Sequence, residues 1–169
     1  MCKYEHAKFI IERFDHYYDG VNNKGAFYIG LNTFIFGGIC VGYLSLHDKV
    51  TADALFWTLF SVLVISNILS TFFTITALMP FLKGNHQGLE LPSLVYFGGI
   101  ARHGLSHFKE RFEKADGATM LDDLLQQAYC LAQGLDSKYK KLKYAAMCVV
   151  AQFITMLPLL FLIIRNLKP

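Results

Sequence analysis

Three long apolar stretches each carry one strong side-chain hydrogen-bonding group: Asn32, Asn67 and Gln152. The second stretch adds Ser66, Ser70 and Thr74 at four-residue spacing, one face of a helix. In hydrocarbon such groups seek other polar groups, at gains averaging well under about 2 kcal/mol each. Asn32, Asn67, Ser70, Thr74 and Gln152 are therefore either interhelical packing groups or the polar lining of a permeable path. None of them is charged, which favours packing. A different set suits a small anion. Arg13, Asp15, Asn22, Asn23 and Lys24 lie together before the first stretch. Gln126, Gln127, Tyr129, Lys138, Lys140 and Lys141 lie before the third. Arg and Lys suit phosphate, while amides and tyrosines suit base edges and faces. Arg13, Asp15, Asn23, Lys24, Gln127, Tyr129 and Lys138 are the candidate ligand residues; for the lysines alone, ordinary juxtamembrane charge is the simpler account.

Catalytic chemistry has no visible carrier. His103 and His107 are four apart and could share a helical face, but zinc needs at least one more ligand and no helical metalloprotease signature surrounds them. No Gly-rich phosphate loop, Ser-centred elbow or Cys–His arrangement is present. The expectation is a protein that is not an enzyme, with no metal and no cofactor. Cys2, Cys40, Cys130 and Cys148 show no paired spacing, which fits unpaired thiols in a reducing compartment.

The elements that must position these residues follow from the charge pattern. The chain has 169 residues, one domain's worth, of which 54% are hydrophobic and 17% charged. Residues 25–46, 54–82 and 144–164 form runs of 22, 29 and 21 residues without Asp, Glu, Lys or Arg. About 20 apolar residues cross a bilayer, so all three qualify as transmembrane helices. A chain this short could not surround three such helices with a soluble core. The first apolar run follows a polar segment with four acids, so a cleaved signal peptide is not expected.

Orientation follows from Lys and Arg. Residues 1–24 carry 4 and residues 83–143 carry 9, so 13 of 16 fall on one side of a three-span chain. That side is expected to be cytoplasmic. Its 11 acids leave a net charge of only +2, which argues against nucleic-acid binding.

Two apolar seams run on from the cytoplasm into the membrane. Tyr4, Ala7, Ile11, Phe14, Tyr18 and Val21 alternate at steps of 3 and 4. So do Leu121, Leu125, Ala128, Ala132, Leu135, Tyr139, Leu142 and Ala146, continuing through Val149, Phe153, Met156, Leu160 and Ile163. A helix over 119–164 would be ~70 Å long at 1.5 Å per residue, and only about 30 Å fits in hydrocarbon. The expected fold is an all-α membrane protein with three transmembrane helices, the first and third extending into a cytoplasmic helical stalk. Residues 1–24 form its first amphipathic helix and 83–143 its loop and sensor region. Gly84, Gly88 and Pro92 punctuate that loop, residues 93–101 could be strand or helix, and Ser106 begins a short helix with Phe108 and Phe112 on one face. Ala26-xxx-Gly30 and Gly38-xxx-Gly42 would let backbones approach closely on the first span.

The order of certain residues resembles the membrane effector family of Pycsar antiphage systems. Ile11-Glu12-Arg13-Phe14-Asp15-His16-Tyr17-Tyr18 with Asn22-Asn23-Lys24-Gly25 is similar to that family's opening. Ser93-Leu94-Val95-Tyr96-Phe97-Gly98 with Ile100-Ala101 is similar to its mid-chain motif, and Leu121 to Leu142 to its terminal helix. An acidic or other polar residue often follows Phe-Gly in the family pattern; here it is Gly99. The resemblance implies a multi-pass protein of the bacterial inner membrane whose ligand is cyclic UMP or cyclic CMP, made by a partner cyclase on phage infection. It also implies disruption of the lipid bilayer, and the two seams that run from cytoplasm into membrane lead to the expectation that nucleotide binding repacks the helices and drives assembly of a homo-oligomer. The reading of a different class is a constitutive channel or transporter subunit with no nucleotide trigger. A membrane enzyme using His103 and His107, or a purely structural scaffold, are further readings of the residues.

Overall fold

The computed structural model describes residues 2–46, 49–50, 53–80 and 93–166. The expected loop around Gly84, Gly88 and Pro92 lies outside them. Helix accounts for 91% of the described residues, with no strand among them. Four helices follow in order: α1 (Lys3–Leu46), α2 (Ala54–Leu78), α3 (Phe97–Lys114) and α4 (Gly117–Arg165). Three of them, α1, α2 and α4, are long and apolar enough to cross a membrane. The protein is an all-α membrane protein with long first and third membrane helices.

The helix ends have local causes. Asp53 starts α2 by accepting the Phe56 N–H at 2.8 Å. The charge-free run continues to residue 82, yet α2 closes at Leu78. Met79 precedes Pro80, whose ring disfavours the helical region for its predecessor, and Met79 accordingly turns out at ψ 141°. Asp116 starts α4: its Oδ1 accepts the Thr119 N–H at 2.8 Å and the Thr119 hydroxyl at 2.6 Å. Those two bonds, the hydroxyl's first, hold the Asp116 carboxyl below the usual aspartate range. A depressed folded-state value means that the cap is in place above the unfolded pKa and is lost as pH falls through the folded one. The Asp116 carboxyl carbon should accordingly titrate by NMR with a midpoint below about 3.9; a midpoint at or above that value would contradict the cap.

The run 93–101 is neither a strand nor one helix. Residues 93–96 form a turn, and α3 begins at Phe97. Gly104, at φ 72°, divides α3 into two helical pieces, a backbone that L side chains rarely adopt. That break lies between His103 and His107, so the two do not stand one turn apart on a continuous helix. Phe108 and Phe112 do pair, with ring centroids 5.9 Å apart.

The described chain divides into two units: Met1–Asp19 with Pro80–Asp136, and Gly20–Met79 with Ser137–Pro169. In the first, Ala7, Leu94, Leu124, Ala128 and Leu135 are buried. The Tyr18 hydroxyl donates to the Leu131 carbonyl at 3.0 Å, and burial, then the Asp15 charge, pushes the phenol pKa up.

The second unit is apolar outside and partly polar inside. Phe34 is 80% exposed and Leu157 72%, whereas Asn32, Asn67, Ser70, Thr74 and Gln152 are buried. A soluble domain shows the reverse arrangement, so hydrocarbon is the solvent this surface fits. Gly25 lets α1 meet α2 closely: a Cβ there would lie 2.6–3.2 Å from three side-chain atoms of Leu78. Gly25→Val should destabilise the protein by about 1–3 kcal/mol, and non-additively with Leu78→Ala in a double-mutant cycle measured by detergent unfolding. Ala26, Gly30 and Gly38 face outward, and the three glycines at 30, 38 and 42 meet nothing within 4 Å.

The seam of α4 differs from the expected one in an instructive way. The shared positions Ala128, Leu135, Leu142 and Val149 are buried. Leu125, Tyr139, Phe153 and Leu160, expected between them, are exposed, and Leu124, Lys138, Ala145, Gln152 and Leu159 are buried in their place. The true seam repeats every seven residues through 124, 131, 138, 145, 152 and 159, so a lysine and a glutamine occupy core positions. Gln152 is expected inside the bundle as a packing or lining group, whereas the charge of Lys138 points to ligand or juxtamembrane surface.

Candidate functional site

The polar residues of the three membrane helices converge. The Asn32 amide donates to Ser70 Oγ at 2.9 Å, and Ser70 Oγ donates to the Ala145 carbonyl at 3.1 Å. Gln152 Nε2 donates to Asn32 Oδ1 at 3.2 Å and to the Ser66 carbonyl at 3.3 Å. Asn67 Nδ2 reaches the Asn32 carbonyl at 3.1 Å and Gln152 Oε1 at 3.4 Å. One network thus joins α1, α2 and α4 inside a single chain. Thr74 instead bonds the Ser70 carbonyl on its own helix, at 2.7 Å.

A second polar cluster closes the end of α2. A helix leaves its last carbonyls without intrahelical partners. Lys141 Nζ donates to the Thr76 carbonyl at 3.0 Å. Lys138 Nζ donates to the carbonyls of Ala77 at 2.7 Å, Leu78 at 3.3 Å and Met79 at 3.1 Å. Two cations on α4 therefore sit at the negative end of the α2 dipole, where positive charge is favoured. Beside them Lys24 lies 5.7 Å from the centre of the Tyr139 ring.

The third cluster is built on the turn at 93–96. Ser93 Oγ accepts the N–H groups of Val95 at 3.1 Å and Tyr96 at 2.9 Å. Asp123 Oδ2, from α4, accepts those of Leu94 at 2.6 Å and Val95 at 3.1 Å. Gly99 closes the turn: a Cβ there would lie 2.8 Å from the Ser93 carbonyl oxygen. A small hollow against this turn is lined by Ser93, Leu94, Gly99, His107, Phe108 and Arg111.

The candidate ligand residues are divided between the two units. Arg13, Asp15, Gln127 and Tyr129 belong to the first unit, and Asn23, Lys24 and Lys138 to the second. Arg13 Nη2 donates to Tyr17 Oη at 2.9 Å, and its guanidinium lies 5.7 Å from the Phe9 ring centre and 5.9 Å from that of Tyr17. Asp15, two residues on, points to another side of α1. Tyr129 is 65% exposed. Lys138 is only 6% exposed, with its ammonium on backbone carbonyls. Ser93, Asp123 and Lys141 were not singled out from sequence for these contacts. The seven-residue step through 138 and 145 was the available signal for the lysine end. No group of three or more His, Cys, Asp or Glu able to hold a metal occurs among the described residues.

The motifs that hold these clusters have a family match. A family model described as the Pycsar effector protein domain covers residues 6–165. The chain belongs to that family. No curated protein and no solved structure matches it. The match takes in all four helices almost completely, and with them all three polar clusters. As a Pycsar effector with three membrane-spanning helices, the protein is a membrane effector of antiphage defence. Pycsar effectors act on a signal generated by a partner cyclase.

Proposed function

We propose that this effector is triggered by a cyclic pyrimidine nucleotide, cyclic UMP or cyclic CMP, and then disrupts the bacterial inner membrane as a homo-oligomer. The observation that carries the reading is the family match over residues 6–165 on a chain with three membrane-spanning helices. The Lys/Arg excess supports an N-terminus and residues 83–143 on the cytoplasmic side, where a cyclase product would accumulate. Arg13 is the residue we assign to the nucleotide phosphate, because an exposed guanidinium among aromatic rings combines charge with a stacking surface. Asp15, Asn23, Lys24, Gln127 and Tyr129 are assigned to the same recognition, and Lys138 to its transmission.

Calorimetry on the detergent-purified protein tests this directly, with cyclic AMP as control. Selective binding of cyclic UMP or cyclic CMP is expected, weakened about tenfold or more by Arg13→Ala, the loss of one charge-assisted bond. If neither pyrimidine binds and neither releases dye from proteoliposomes, the trigger is wrong. The reading as a constitutive channel or transporter subunit then takes its place.

A further inference from the structure

The chain passes between its two units at three places: after Asp19, after Met79 and after Asp136. The polar clasp on the end of α2 joins residues beside two of them, Thr76–Met79 and Lys138–Lys141. Residues just after the third lie against Tyr139, which stands between the two lysines in sequence. Lys24 faces Tyr139, and a Cβ on Gly20 would lie 4.0 Å from Tyr139 Oη. Two of the three chain connections from the first unit therefore enter the second beside this clasp.

The clasp also differs in kind from what holds the rest of α2. Farther along, α2 is fixed by amide and hydroxyl bonds to both α1 and α4. At its end, among the described residues, four successive carbonyls accept from two lysine side chains of one neighbouring helix. Ammonium groups on flexible stems can exchange carbonyls for water or for an anion with little movement of α4. Once they leave, the four carbonyls must find water, which in an apolar bundle means that the end of α2 moves outward.

We infer that the Lys138–Lys141 clasp on the α2 terminus is the latch of the resting state, and that its release is the step that makes the membrane helices permeable. This rests on the proposed function for what releases it. The mechanical claim is tested without any nucleotide.

Purified protein in proteoliposomes loaded with a self-quenched dye supplies the test. Lys138→Met with Lys141→Met should raise spontaneous dye release about tenfold or more over wild type, the shift expected on losing a favourable charge–carbonyl contact. Lys138→Arg with Lys141→Arg should keep release low. In the doubly Met-substituted chain, with the four native cysteines replaced by alanine, Gly25→Cys and Leu78→Cys provide a lock. Oxidation ties the end of α2 to α1 and should return release to the wild-type rate, and reductant should restore it.

Equal insertion with no excess release from the Met variant overturns the inference, as does release that persists after cross-linking. If the Met variant does not insert, the cross-link in an otherwise native-clasp chain decides: oxidation must suppress whatever release the reduced protein shows, triggered or basal. Wild-type indifference to both nucleotides alongside a leaky Met variant would remove the trigger and keep the latch.

Discussion

Gln152→Ala should be among the most damaging single substitutions in the membrane helices, lowering stability by about 2–4 kcal/mol. The side chain is fully buried, and its removal does two things at once. It takes the partner from Asn32 Oδ1, whose bond from Gln152 is 3.2 Å long, and one from Asn67. It also leaves a cavity where α1, α2 and α4 meet. Measured interhelical hydrogen bonds in membranes average only ~0.6 kcal/mol, so the cavity and the stranded amides supply most of the effect. Gln152→Met refills the volume without restoring the bonds and should cost about 1–2 kcal/mol. Thr33→Val is the control: Thr33 faces outward and its hydroxyl bonds the Ile29 carbonyl of its own helix, so a change within ±0.5 kcal/mol is expected. Unfolding by SDS in mixed micelles, followed by the fluorescence of the single tryptophan Trp57 on α2, reads all three. A Gln152→Ala protein as stable as wild type would show that the buried network does not hold the bundle.

Asp123→Ala should release the turn at 93–96. Its carboxylate takes the N–H groups of Leu94 and Val95 at 2.6 and 3.1 Å, charge-assisted bonds stronger than neutral ones. Without it Leu94, which is buried, loses the partner of its amide. The expected cost is about 1–3 kcal/mol, seen as amide exchange at Leu94 and Val95 faster by roughly tenfold to a hundredfold. Asp123→Asn keeps an acceptor and should show a smaller change. Gly99→Asp should loosen the same turn for a different reason, because its Cβ would meet the Ser93 carbonyl oxygen at 2.8 Å and the backbone must shift. Unchanged exchange in Asp123→Ala would mean that the turn is held by Ser93 alone.

Much of the membrane architecture was legible because it rests on local, one-dimensional facts. Runs without charge are counted directly, and a bilayer sets the length they must reach. Hydropathy does not register the local signals that end helices: Asp53, Asp116 and Pro80 set them through side chains and a ring, and the charge-free run continues four residues past the stop at Leu78. The seam of α4 was half legible. Apolar positions Ala128, Leu135, Leu142 and Val149 showed themselves, and Gln152 as a packing or lining amide, while Lys138 did not.

The sequence by itself determined three membrane helices, their approximate extents, and that each brings one amide into an apolar setting. It also carried the motifs of the family. Which way each polar side chain turns was decided only by the tertiary structure. The reason is that a buried polar group is tolerable only with a partner, and the interhelical partners here come from chain positions 35 to 120 residues away. Lys138 is buried because α2 ends where its ammonium can reach three carbonyls, and nothing within the sequence around Lys138 announces that. Asp123 likewise acquires its role from a turn 29 residues earlier.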